Sequence, residues 1–149
     1  MIYLGGKYMI EKHCGPLLKQ LNDVLTKRVN HELKDEDLTV AQMRVLLFLD
    51  QREGKAAPLK DIEKGLTIAQ PTVVGLCQRL NEKGFISYFQ DPLNHRAKWI
   101  VLTEEGKRKC AIAYTHMQET EQQLLSSMTE TEKKYFYTLL QKALLAVQK

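Results

Sequence analysis

Apolar positions along this chain recur mostly at helical spacing, and one short alternating stretch interrupts them. Leu17, Leu18, Leu21, Val24, Leu25 and Val29 fall three or four residues apart, the period of a helix with one buried face. Cys14-Gly15-Pro16 opens that helix, which runs to about residue 33, because a first turn tolerates proline's missing donor. Thr39 and Gln42 form a T-x-x-Q capping box, with Leu38 and Met43 placed as a hydrophobic staple around it. A second helix is therefore predicted over 40–51. Gly54 and Pro58 end that segment and set up a short helix over 60–65. In residues 70–83, Val73, Leu76, Cys77 and Leu80 sit at i, i+3, i+4 and i+7 and make one apolar stripe. Gly84 stands where a helix-ending glycine belongs.

The alternating stretch comes next. Residues 85–89 are β-branched and aromatic, Asp91-Pro92-Leu93-Asn94 forces a turn, and 98–102 place Trp99 and Val101 opposite Ile100 and Leu102. A hairpin with Asn94, His95 and Arg96 at its tip is predicted. Thr103 then caps a long helix over 104–127, and Thr129-x-x-Glu132 is a second capping box opening a last helix. That helix carries Tyr135, Phe136, Leu139, Leu140, Ala143, Leu144 and Val147, a stripe too generous for the end of a monomer. The fold class read from this order is mainly α with a small β-wing: a winged helix-turn-helix lobe over 38–102, flanked within the single chain 1–149 by dimerisation helices over 14–33 and 104–149.

The face of the fourth helix opposite its apolar stripe carries Gln70, Thr72, Val74, Gly75, Gln78 and Arg79. Glutamine can pair bidentately with adenine, arginine with guanine or phosphate, and the methyls of Thr72 and Val74 can meet a thymine methyl. Gly75 leaves room for close approach. A hairpin behind such a helix puts its tip beside the groove the helix enters, where Arg96 can reach the narrow minor groove. Asn94, Arg96 and Lys98 complete the set of candidate DNA-contacting residues. A simple surface helix with a packing glycine is the competing reading of the helix taken alone.

These residues carry a family resemblance. Gln70-Pro71-Thr72-Val73, Leu80-x-x-Lys83-Gly84-Phe85-Ile86, Asp91-Pro92 with Asn94-His95-Arg96-Ala97, and Leu102-Thr103-x-x-Gly106 resemble the MarR family of bacterial transcriptional regulators over essentially the full length. The resemblance implies a homodimer, recognition helices in successive major grooves, and wings in flanking minor grooves with Arg96 as the wing arginine. It also implies a response to a small aromatic effector, bound between the dimer helices and the winged lobe. Three departures from the family pattern stand out. Asn94 stands where an aspartate usually holds the wing guanidinium, and a neutral amide gives up charge assistance. Ala69 replaces the usual capping side chain, and Thr67 with Gln70 offers an alternative box that would start the helix earlier. Val74 and Gly75 occupy positions where polar or basic residues are common.

Composition and charge narrow the remaining choices. With 149 residues, 44% of them apolar, the chain suits one compact domain or two small lobes. No apolar run approaches the roughly 20 residues that span a bilayer, and residues 1–16 lack the features of a secretory signal. The net charge is only +4. Between residues 55 and 100, however, seven basic residues (Lys55, Lys60, Lys64, Arg79, Lys83, Arg96, Lys98) face four acidic ones (Asp61, Glu63, Glu82, Asp91), a bias of the sign that phosphates require. Cys14, Cys77 and Cys110 form neither a disulfide framework nor a zinc knuckle, and a reducing cytoplasm fits them. His13, His31, His95 and His116 are scattered, so no metal and no cofactor are expected. There is no phosphate loop, nucleophile elbow or HExxH, so the chain does not read as an enzyme. Two alternatives remain open at this point. One is a thiol-based redox regulator working through Cys14 at a helix N-terminus; the other is a winged-helix protein-interaction module that never touches DNA.

Overall fold

The computed structural model describes residues 13–148. The N-terminal run weighed against a secretory signal lies almost wholly outside the described residues. Six helices and a three-stranded sheet follow in order: α1 (Cys14–Leu33), α2 (Val40–Asp50), β1 (Ala56–Pro58), α3 (Leu59–Leu66), α4 (Gln70–Glu82), β2 (Ile86–Asp91), β3 (Asn94–Leu102), α5 (Glu104–Leu124) and α6 (Glu130–Val147). Two compact units divide between His116 and Met117.

In the first unit, local signals start the helices and tertiary packing holds them. The Thr39 hydroxyl accepts from the Gln42 N–H and the Gln42 Oε1 accepts from the Thr39 N–H, each at 3.2 Å, so the predicted capping box opens α2. Leu38 and Met43 are both buried, as a staple requires. The fully buried side chains Leu33, Leu46, Leu49, Ile62, Leu80, Ile86 and Ile100 come from α1, α2, α3, α4, β2 and β3 and form one core. Truncating any of these leucines to alanine removes about 2–5 kcal/mol of stability. The first half of α5 is tied to the same unit. Lys109 pairs with Glu36 at 3.0 Å, the Tyr114 hydroxyl reaches Asp50 at 3.2 Å, and His116 Nδ1 lies 3.6 Å from Glu32. The first compact unit therefore extends beyond the 38–102 lobe to take in α1 and the start of α5.

The sheet has the order β1-β3-β2, antiparallel throughout, with Ala57 opposite Ile100 and Phe89 opposite Trp99. Strand β1 is absent from the sequence reading. Ala-Ala-Pro has no strand propensity, and pairing with β3 alone recruits it. The hairpin is also longer than predicted. Residues 90–97, read mostly as loop, pair up to Asp91 opposite Asn94 and leave Pro92-Leu93 as the turn. Their side chains are almost all exposed, so no buried face imposed the alternation on which strand prediction depends.

Helix α5 ends at Leu124 rather than 127. The Ser126 hydroxyl donates to the Gln123 carbonyl at 2.8 Å, a local bond that competes with helix continuation. In the second unit, Thr129 and Glu132 form the predicted capping box of α6. No residue of α6 is buried: Tyr135, Tyr137, Leu139, Leu144 and Leu145 are all more than half exposed. Among the described residues, no helix is long and apolar enough to cross a membrane.

Candidate nucleic-acid interface

Helices α3 and α4 are joined by a three-residue turn. Thr67 adopts the left-handed conformation at φ +53 and ends α3, and its N–H bonds back to the Lys64 carbonyl at 3.4 Å. That conformation overturns the alternative start in which Thr67 caps the next helix. Instead Ala69 is the N-cap, with no side-chain bond. Pro71 in the first turn removes one of the donors a cap would have had to satisfy, while the Thr72 and Val73 N–H groups both bond to the Ala69 carbonyl. At the other end Gly84, at φ +80, turns the chain into β2, and the Phe85 N–H returns to the Leu80 carbonyl at 3.0 Å.

The partition of α4 follows its 3.6 period. Val73, Leu76, Cys77 and Leu80 are buried, Gln70, Thr72, Val74, Gln78 and Arg79 are exposed, and Gly75 lies half-buried between them. On the hairpin, Asn94, Arg96 and Lys98 are exposed on β3. A cleft of about 480 Å³ brings Gln70 together with Asn94, Arg96 and Lys98, its other walls being Pro58, Leu59, Lys60, Glu63 and Ala97. Thr72, Val74, Gly75, Gln78 and Arg79 continue from that cleft along α4. Three cations, Lys60, Arg96 and Lys98, face the single carboxylate of Glu63 there, which favours an anion.

Local chemistry fixes the wing. Asp91 Oδ1 accepts from the Leu93 N–H at 2.9 Å, and Gln90 Nε2 donates to the His95 carbonyl at 2.6 Å. Asn94 Oδ1 accepts from the Arg96 backbone N–H at 3.2 Å. The amide thus shapes the turn and does not hold the guanidinium, as the family's aspartate would. The Arg96 side chain has no hydrogen bond or ion pair among the described residues. Lys98 lies over the Tyr88 ring, 5.8 Å from its centroid, and Phe89 stacks on Trp99 at 5.9 Å. Burial, with Cys77 nearby, pushes the Tyr88 phenol above its ordinary value.

A fastening that the sequence did not reveal lies behind this surface. The Lys83 ammonium, one residue past α4, donates to the Asp37 carbonyl at 2.5 Å and to Gln42 Oε1 at 3.1 Å, and it pairs with Asp37 Oδ1 at 3.3 Å. Gln42 is only 4% exposed, so a capping residue of α2 doubles as an anchor for the end of α4. Its place in the capping box was legible, but the partner 41 positions away was not. Lys60 was likewise counted only as a charge. Its place two residues after Pro58, in the first turn of α3, was the available signal. Cys14 is exposed as the first residue of α1, whereas Cys77 and Cys110 are buried.

Comparison with known proteins gives the same picture. The model of the MarR family matches residues 36–97, which include α2, the helix-turn-helix and most of the wing. The chain is 28% identical over 127 residues to the HTH-type transcriptional regulator YwoH of Bacillus subtilis, covering 85% of this chain and 90% of that protein. Its fold superposes on that of MepR of S. aureus in complex with DNA with a TM-score of 0.84 and 27% identity, over 92% of this chain and all of MepR. BpsR of Bordetella bronchiseptica, whose DNA binding is regulated by 6-hydroxynicotinic acid, is 26% identical with a TM-score of 0.80, over 97% of this chain and all of BpsR.

Proposed function

We propose that the chain is a MarR-family transcriptional regulator rather than an enzyme, a cytoplasmic homodimer that represses genes from a pseudo-palindromic operator in double-stranded DNA. The observation that carries this reading is the convergence of Gln70 at the start of α4 with Asn94, Arg96 and Lys98 of the wing on one cationic cleft. Helix α4 enters the major groove with Gln70, Thr72, Val74, Gln78 and Arg79, Gly75 admits the backbone, and Arg96 follows the adjacent minor groove. The likeness to MepR, solved on DNA, supports the same docking.

The uncovered apolar stripe of α6 supports dimerisation, since so many large apolar side chains in water mark an interface. A second copy covers them and sets two recognition helices about one DNA turn apart, roughly 34 Å. A small aromatic acid is the effector. A cleft of about 690 Å³ between α1 and α2 is lined by Asn22, Thr26, Asn30, Lys34, Thr39 and Arg44 among others, with two cations and no acid. BpsR, regulated by an aromatic acid, supports that class of ligand.

The test is fluorescence anisotropy on duplexes covering the DNA upstream of the protein's own gene, over a salt series, with sedimentation of the free protein. A dimer whose log affinity falls steeply with log salt is expected. A monomer at micromolar concentration would sink the two-fold mechanism. Absence of binding at about 50 mM salt would hand the fold to a protein-interaction role.

A further inference from the structure

The wing tip carries an apolar side chain that neither the fold nor the cationic cleft uses. Leu93 is 96% exposed, while no other large apolar residue described in the first unit exceeds the 59% of Val24. It sits beside Pro92 in the two-residue turn that closes β2 onto β3. Fastenings flank it on both sides. Asp91 Oδ1 holds its own N–H, Gln90 ties the His95 carbonyl, and Asn94 Oδ1 ties the Arg96 N–H. Proline fixes the backbone on the other side. The tip is thereby built to keep an isobutyl group projecting three residues from the wing arginine, instead of folding it back onto the strands.

Such a group has no use for phosphate. Against duplex DNA its partners are deoxyribose rings and the edges of stacked bases, and leucine and proline are among the side chains that wedge into minor-groove base steps. Steps differ in how readily they open: pyrimidine–purine steps (TA, CA/TG) unstack most easily. We propose that Leu93, with Pro92 behind it, is a minor-groove wedge that makes the protein prefer a pyrimidine–purine step where each wing meets the DNA. This rests on the DNA-binding reading above and adds to it a determinant of sequence that makes no hydrogen bond to a base. Arg96 supplies charge in the same groove, and Leu93 supplies the discrimination between steps.

The experiment is selection from random duplexes with the wild-type protein, Leu93→Ser and Leu93→Met, followed by affinity measurements on the duplex the wild type selects. Leu93→Ser leaves the fold intact because the side chain touches nothing it could lose. Wild type and Leu93→Met should enrich a pyrimidine–purine step at symmetric flanks. Leu93→Ser should keep the central palindrome, lose the flank preference, and bind the selected duplex roughly tenfold more weakly, with two wedges lost per dimer. Replacing the flanking step by a GC step should weaken the wild type by a similar factor and leave Leu93→Ser unchanged. Identical flanks and affinities for wild type and Leu93→Ser would overturn the wedge while leaving DNA binding standing. A uniform loss on all sequences would overturn it too, assigning Leu93 to nonspecific contact. If the wild type enriched no duplex at all, the DNA-binding reading itself would fall.

Discussion

Gly75→Ala separates what α4 needs in order to fold from what it needs in order to dock. A Cβ built at Gly75 meets no heavy atom within 4 Å, although the residue lies in the interior of a 13-residue helix. Nothing in the fold opposes the extra methyl, so the helix gains the intrinsic preference for alanine over glycine, about 1 kcal/mol. For a chain of this size that raises the melting temperature by roughly 2–4 °C at fixed protein concentration. Gly106 provides the contrast. A Cβ there would stand 2.0 Å from the Phe85 carbonyl oxygen and 3.2 Å from Leu102. Relieving it means moving α5 off the start of β2, against the bonds from the Thr103 N–H to Phe85 and from its hydroxyl to Gly84. Gly106→Ala should therefore lose about 3 kcal/mol, overpacking together with strained hydrogen bonds outweighing the helix gain. On DNA the order reverses for Gly75. The methyl occupies space on the docking face, and affinity for the operator should drop about tenfold despite the higher stability. Urea denaturation and anisotropy on the same preparations read both quantities. A destabilised Gly75→Ala would show that the helix face is not open, and a stabilised variant with unchanged affinity would show that Gly75 is not a point of close approach.

The remaining expected outcomes concern Arg96, Lys83 and the cysteines. Arg96→Ala should weaken operator binding roughly tenfold or more and leave the melting temperature unchanged, because its side chain makes no bond within the fold; unaltered affinity at physiological salt would remove Arg96 from the interface. Lys83→Met should cost about 1–2 kcal/mol in urea melts, because it takes a bond from the buried Gln42 and frees the Asp37 carbonyl. It should also loosen DNA binding, and full retention of both would deny the anchor. Burial pushes the Cys77 thiol up to about 11 and the Cys110 thiol up to about 12, Asp50 adding to the latter. The unfolded chain releases those protons from about pH 8.5 while the fold retains them. Stability should therefore fall as pH rises from about 8.5 toward 11–12, and Cys77→Ala combined with Cys110→Ala should flatten the slope in urea midpoints. Native protein should be alkylated at Cys14 alone, and labelling of the buried pair without denaturant would contradict their burial.

Elements set by local chemistry were readable in advance. Thr39 with Gln42, Thr129 with Glu132, and Gly84 after Glu82 state helix ends in their own side chains. The stripe of Val73, Leu76, Cys77 and Leu80 fixed which face of α4 lies inward. What stayed hidden depended on partners distant in the chain or on an absence of burial. Ala56–Pro58 is a strand only because β3 offers it a ladder. The hairpin extends to Asn94 through residues exposed on both faces, where no alternation is imposed. Thr67 appeared to be a cap because its spacing to Gln70 fits one, yet packing α3 against α4 needs a left-handed residue there, and Thr67 takes that place at φ +53. Of the surface set, the order of elements already puts the hairpin with Asn94, Arg96 and Lys98 beside the helix carrying Gln70, but only the fold shows the four walling a single cleft.

The attachment of α4 through Lys83 bears on how a regulator of this build can diverge. Its end is clamped to the Asp37–Gln42 corner by a residue beyond the helix, and its inner stripe is packed by four others. Gln70, Thr72, Val74, Gln78 and Arg79 take part in neither. On the docking proposed above, substitutions at those five positions would rewrite the preferred operator without taxing the fold, leaving descendants of one ancestral chain free to acquire new target genes while inheriting the same scaffold.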